Sequence, residues 1–267
     1  MTSEKIIMEI PVENWLWRQL KKKKEALKYH GKDIVNLILR GSHCDYAINP
    51  TYFKDLTFNF GTNNQDLFCT YYAYREVAPF LLNVQNVVVF YAFFLNGFNL
   101  LKTTEKWRCF YYKLLLNVPY EIEATNINDF PISMDFTEAD LRNYFGYDNP
   151  SWAGKWDVEQ RVARHIKEFN RDKHGLYYLQ ELALLCQKQN RNLHIVIPAY
   201  RSDYTSYVPS NTVETAINQL KEIVPEKNIH NFFKSPLFND SDFTDPDHMN
   251  SSGAIKISTE LNKILHK

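Results

Sequence analysis

The feature that most restricts the fold is the run Val87-Val88-Val89-Phe90-Tyr91-Ala92-Phe93-Phe94, an unbroken apolar stretch rich in branched and aromatic side chains. It is the strongest strand signal in the chain, because such side chains pack well on a pleated, buried surface. Residues 34–39, Ile-Val-Asn-Leu-Ile-Leu, form a shorter run that stops at Arg40-Gly41-Ser42, as a buried parallel strand ending in a turn would. Further strands are expected at 56–60, at 193–197, which ends on Pro198, and at 228–233. Helical periodicity fills the intervals at 12–29, 65–82, 174–190, 213–224 and 252–265. Strands that alternate with helices argue for an α/β three-layer sandwich, with a central, mostly parallel sheet between two helical layers.

The section 100–172 interrupts this alternation. It is rich in aromatics, is broken by Pro131 and Pro150, holds Trp107, Trp152 and Trp156, and reads as a mostly helical insertion. No repeat, low-complexity tract or linker divides the chain, so 1–267 reads as a single domain. At 45% hydrophobic residues the chain can bury one large core. Lys21 to Lys24 read as a solvated face of the first helix.

Charge and cysteine usage remove several classes of function. Lys+Arg and Asp+Glu are equal at 31 each, so no net field recruits a polyanion, which argues against nucleic acid as partner. Cys44, Cys69, Cys109 and Cys186 lack the close pairs of zinc or redox motifs and read as reduced, buried thiols. The opening MTSEKIIMEIPVENWLW has early acids and does not read as a secretory signal. The longest apolar stretch, 87–95, falls short of the about 20 residues a membrane span needs. A cytoplasmic protein without a transmembrane segment is expected.

In an open parallel sheet, ligands bind beyond the carboxyl ends of the strands, which selects Ser42, Gly61, Asn96 and the segment 245–248. A serine hydroxyl becomes a nucleophile only when a base takes its proton. His43 is adjacent, but neighbouring side chains at such a turn diverge, so a remote histidine is the better base. Before the last helix the chain reads Phe243-Thr244-Asp245-Pro246-Asp247-His248-Met249-Asn250-Ser251-Ser252-Gly253-Ala254. An acid three residues before a histidine on a tight turn places both in one crevice, the carboxylate fixing the imidazole tautomer. The plainer readings are a helix cap at Gly41-Ser42 and an Asx-type turn with a surface histidine at 245–248.

The pairing of Gly41-Ser42 after the first strand with DPDHMNSSGA before the last helix resembles the SGNH/GDSL hydrolases. RGSHCDYAINP is similar to the first block of a divergent subgroup. The resemblance implies a flavodoxin-like sandwich with Ser42 as nucleophile, His248 as base and Asp245 as orienting acid. It also implies an oxyanion hole made by the Ser42 N–H, the Gly61 N–H in NFGTNNQD and the Asn96 side chain in FFLNGFN. The chain departs from the family where Gly-Asp-Ser is replaced by Arg40-Gly41-Ser42 and where the third block lacks G-x-N-D, which leaves Asn99 as a substitute for Asn96.

By the same resemblance the expected activity is serine-dependent acyl transfer on ester-linked acyl groups, acetyl above all, of a carbohydrate or another acylated small molecule. Water as acceptor makes it an esterase; a sugar hydroxyl, fed by an acetyl donor, makes it an O-acetyltransferase. The triad needs no cofactor. Arg201, beyond Pro198, either holds an anionic substrate group or forms a surface ion pair. Tyr204, with Trp152, Trp156, Tyr200 and Tyr207, either stacks on sugar rings or packs in the core. His43 completes the expected substrate contacts. The rival from another class is a catalytically silent carbohydrate-binding or assembly protein on the same fold. No H-x-x-x-H or H-x-H spacing among the eight histidines suggests a metal hydrolase.

Overall fold

The structure is a computed structural model, and it describes residues 5–12, 15–130, 134–148, 156–171 and 173–266. In chain order the elements are β1 (Ile6–Met8), α1 (Trp15–His30), β2 (Asn36–Leu39), α2 (Gly41–Ala47), β3 (Thr57–Asn59), α3 (Leu67–Val77), β4 (Asn86–Phe90), α4 (Arg108–Leu116), β5 (Ile122–Ala124) and α5 (Glu138–Arg142). They continue with α6 (Val158–Phe169), α7 (Gly175–Lys188), β6 (Asn192–Ile197), α8 (Ser202–Tyr207), α9 (Ser210–Lys221), β7 (Ile229–Asn231) and α10 (Ser251–Leu265).

Five strands form one sheet in the order β3-β2-β4-β6-β7, and all its pairings are parallel. Period-2 alternation divides the strand side chains between two cores. Leu37, Leu39, Val87, Val89, Ile195 and Ile197 face the layer of α1, α3, α7 and α9. Ile38, Val88, Phe90 and Val196 face α2 and α10. A strand covered on both faces reads as a continuous apolar run, which is why β2 and β4 stood out in the sequence.

A polar ladder fixes the register at the opposite edge. Asn36 Nδ2 donates to Thr57 Oγ1 at 3.0 Å, Asn86 Nδ2 to Asn36 Oδ1 at 2.8 Å, and Asn192 Nδ2 to Asn86 Oδ1 at 3.4 Å. These residues begin four neighbouring strands, so the carboxyl ends beyond them are held in step. From β2 the chain passes to β3 on one side and crosses back to β4 on the other. The loops therefore diverge at the β2/β4 boundary, the switch point where ligands of doubly wound sheets bind.

One expectation needs correction. The run 87–94 is strand only to Phe90; the chain then leaves the sheet and makes a 3-10 turn over Phe93–Asn96, because a buried turn demands the same apolar residues as a buried strand. The section 100–172 carries α4, α5 and α6 and, besides them, β5, which pairs in parallel with β1, Ile6 opposite Ile122, in a two-stranded sheet. Three-residue strands are too short to display a period.

Candidate active site

The end of β2 is a strained reversal. Arg40 adopts φ +84° and Gly41 φ +66°, and α2 starts there with Ser42 in its first turn. Glycine enters this region without penalty, whereas arginine does not. Arg40 is held by its buried guanidinium, which donates to Gln65 O and Phe90 O, both at 3.2 Å. Burial lowers its pKa to about 10, which leaves it charged at neutral pH. Ser42 is half-buried.

The partner turn is closed by Thr244 N–H donating to His248 O at 2.9 Å and by a bridge between Phe243 and Met249. Asp245 Oδ1 accepts the N–H groups of Asp247 (3.0 Å) and His248 (2.9 Å), and Asn250 then caps α10 by accepting from Ser252 and Gly253. The Asx turn is thus present, but it holds a buried histidine rather than a surface one. His248 Nδ1 lies 2.9 Å from Asp245 Oδ2, and Nε2 lies 2.8 Å from Ser42 Oγ across 206 positions of sequence. A carboxylate only accepts hydrogen bonds, so Nδ1 carries the proton and Nε2 is free to accept from the serine.

A second carboxylate stands beside this line. Asp247, fully buried, takes a two-pronged bond from Arg161 on α6, Nε to Oδ1 at 3.0 Å and Nη2 to Oδ2 at 2.7 Å. Against the cost of burial, the Arg161 guanidinium and its hydrogen bonds hold the Asp247 carboxyl well below the usual range. His43 Nε2 is 3.8 Å from Asp247, and its ring stacks on His248 with centroids 5.3 Å apart. Burial pushes the His43 pKa well down, as it does for His165, which leaves both rings neutral beside the base. On the other flank the Tyr46 ring lies 5.1 Å from His248, and its hydroxyl accepts from Asn63 Nδ2 at 2.9 Å.

Sequence reading missed Asp247, Arg161 and His165. The one available signal was the Arg161/His165 spacing, which puts both on one face of a helix. There Arg161 meets Asp247, and His165 Nδ1 sits 2.6 Å from the Tyr204 hydroxyl.

Of the expected residues, Ser42, His248, Asp245 and His43 come together, and the others do not. The Gly61 N–H is taken by Asn59 Oδ1 at 3.0 Å, and its carbonyl accepts from buried Lys23 at 2.5 Å, so it is no free oxyanion donor. Asn96 turns toward α7, where its Oδ1 accepts from Leu176 N–H at 3.1 Å. Asn99 Oδ1 accepts from Leu101 N–H at 2.9 Å within its own turn and does not replace it. Arg201 forms the ion pair rather than an open anion contact, with Nη2 2.6 Å from Asp203 Oδ2. Tyr204 is wholly buried and stacks on Tyr200 at 4.5 Å, so both pack rather than greet a sugar. Trp156 is partly covered by Arg161 at 4.9 Å, Tyr207 is exposed, and Trp152 lies outside the described residues.

Asp245, Asp247 and His248 also have the composition of a metal site, with donor atoms within 4.8 Å of one another. Arg161 already neutralises Asp247, and His248 Nδ1 is committed to Asp245, so these groups serve each other rather than an ion. Among the described residues no helix is long and apolar enough to cross a membrane. In comparisons with known proteins, no family model, no curated protein and no solved structure matches the chain.

Proposed function

We propose that this protein is a serine-dependent acyl-transfer enzyme of the SGNH/GDSL hydrolase kind, acting in the cytoplasm on ester-linked acyl groups, acetyl above all, of a carbohydrate. The observation that carries the reading is the unbroken line from Ser42 Oγ through the His248 ring to Asp245, at 2.8 and 2.9 Å, at the switch point of a parallel sheet.

In this mechanism Ser42 Oγ attacks the acyl carbonyl as His248 Nε2 takes its proton, and the new negative charge settles on the former carbonyl oxygen. Collapse expels the sugar alkoxide, which receives the proton from His248, and leaves acyl-Ser42. Water or a second sugar hydroxyl then gives up its proton to His248 and reverses the sequence. Asp245 holds the imidazole and answers the charge it acquires. Arg161 keeps the charge of Asp247 occupied, so that Asp247 does not compete with Asp245 for His248 Nδ1, 3.9 Å away. For the oxyanion the remaining expected donor is the Ser42 N–H, at the start of a helix whose first N–H groups have no acceptor within it.

That sparse oxyanion hole is the observation favouring the second reading, a catalytically silent carbohydrate-binding or assembly protein. The decisive experiment is hydrolysis of p-nitrophenyl acetate, with fluorophosphonate labelling, by wild type, Ser42→Ala and His248→Ala, all checked for folding by circular dichroism. Both variants should fall by orders of magnitude, since losing a triad member costs on the order of 10⁶ in kcat in a serine protease. Activity surviving in both sinks the assignment. A folded wild type that neither turns over nor labels, yet binds a glycan, supports the second reading. Free acetate versus acetylated sugar then separates esterase from transferase.

A further inference from the structure

With the Gly61 N–H taken by Asn59 and Asn96 turned to α7, one expected donor is left for the negative charge that forms on the acyl oxygen. Preorganised donors at that oxygen are commonly the largest single contribution to such catalysis, and a tyrosine hydroxyl serves there as a backbone N–H does.

Tyr46 follows Ser42 by four positions on α2, so the two side chains share one face of the helix. A long helical side chain leans back over the turn before its own Cα, which directs Tyr46 toward Ser42. Both residues meet the same imidazole: Ser42 Oγ lies 2.8 Å from His248 Nε2, and the Tyr46 ring meets the His248 ring edge-on at 5.1 Å between centroids. Tyr46 is half-buried. Its hydroxyl accepts from Asn63 Nδ2 at 2.9 Å, and its own O–H has no acceptor among the described residues. Burial pushes the phenol up to about 12, so at neutral pH it keeps its proton and is a donor.

Asn63 is itself held in the loop after β3, where its carbonyl accepts from the Tyr112 hydroxyl at 2.5 Å. Buried Lys23 ties that loop to α2, donating to Gly61 O at 2.5 Å and to Asp45 Oδ1, next to Tyr46, at 2.6 Å. Arg40 Nε ties it to the Ser42 turn through Gln65 O at 3.2 Å. A donor mounted on groups that do not move needs no reorganisation as charge develops. The Asn63 amide presents its N–H end to Tyr46 and leaves its Oδ1 buried without a partner. An amide turned the other way would take up the Tyr46 O–H, and the variants below separate the two arrangements.

We propose that the Tyr46 hydroxyl, oriented by Asn63, is a second oxyanion donor at Ser42 and so a catalytic residue of this site. The inference rests on the acyl-transfer reading. The phenol lends a hydrogen bond and keeps its proton, so the proton still passes only between Ser42, His248 and the leaving or attacking oxygen.

The test is p-nitrophenyl acetate hydrolysis by the full chain, with inhibition by phenylboronic acid, whose adduct with Ser42 places a tetrahedral oxygen in the same position. Tyr46→Phe keeps the ring against His248 and removes only the hydroxyl. It should lower kcat about 10²-fold with KM nearly unchanged, because the bond strengthens only as charge develops. Phenylboronic acid should bind more weakly by a similar factor, while the urea midpoint stays in place. Asn63→Asp turns the partner into an acceptor that captures the Tyr46 O–H; it should also lower kcat, and adding Tyr46→Phe to it should cost little more. Wild-type kcat in Tyr46→Phe, in a protein that Ser42→Ala silences, overturns the proposal and leaves the acyl-transfer reading standing. So does a raised KM with kcat unchanged, or losses that multiply in full in the double variant. A wild type that neither hydrolyses the ester nor labels with fluorophosphonate overturns both.

Discussion

The two sides of the Phe93–Asn96 turn differ in how their buried polar groups are answered. On the Ser42 side each acid has its own partner: Asp245 has His248 and two backbone N–H groups, and Asp247 has Arg161. On the α7 side the Asn96 amide has only one of its ends satisfied. On the Ser42 side His43 Nε2 is left without a partner among the described residues, but the groups that orient His248 are held in place before any substrate arrives. Asn96 Nδ2, with neither an acceptor nor open surface, is a cost that the fold carries on the α7 side. The Ser42 side should therefore fail through any member of its chain, whereas the Asn96 amide holds only the start of α7.

The sharpest way to break this contrast is Asp245→Asn. The asparagine oxygen still accepts the N–H groups of Asp247 and His248, so the turn survives, but the imidazole loses the acceptor that fixes its tautomer. The equivalent change in a serine protease lowers kcat by about 10⁴, and a comparable drop in p-nitrophenyl acetate hydrolysis is expected with the urea midpoint nearly unmoved. A loss below ten-fold would mean that His248 is not oriented by this carboxylate.

Next in size is Arg161→Met. The side chain of Asp247 is fully buried, and removing its partner leaves an uncompensated charge. Such a change costs about 3–5 kcal/mol. Urea unfolding should show that loss, and the double variant Arg161→Met with Asp247→Asn should recover most of it. If the double variant is no better than the single one, Arg161 stabilises the fold by packing rather than by charge.

How much of this was visible in the sequence follows from the range over which each contact acts. Ser42 was legible because a buried strand and its turn lie within nine residues, 34–42, and His248 with Asp245 because three positions on one turn set their geometry. Arg161 was not, since it reaches Asp247 from 86 positions away on a helix read only as part of an insertion. Gly61 was rightly placed after its strand but wrongly used, because nothing local announces that Asn59 folds back onto its N–H. Tyr204 was read as a possible sugar platform because α8 was not foreseen, and that helix carries the ring inward onto Tyr200. The asparagine ladder across four strands is invisible until the strand order is known.

The smallest effect is one of pH, and it reads the Ser42 side without touching the triad. His43 faces His248, Asp247 and Arg40, His165 faces Asp247, Arg161 and Arg164, and burial holds both below their ordinary pKa. A histidine kept neutral in the fold but free to protonate when unfolded, near pH 6.5, makes the unfolded chain bind more protons below that pH. Its stabilisation is therefore complete above about pH 6.5 and declines as pH falls toward the depressed folded value, at most by about 1.4 kcal/mol per pH unit for each proton. Asp45 and Asp66, raised by burial, act with the opposite sign, so the useful quantity is a difference between proteins. Between pH 6.5 and 5, His165→Gln should lose stability less steeply than wild type in urea titrations, because its glutamine has no proton to take up. Parallel slopes would mean that His165 protonates inside the fold, and the neutral wall behind the base would then have to be carried by His43 alone.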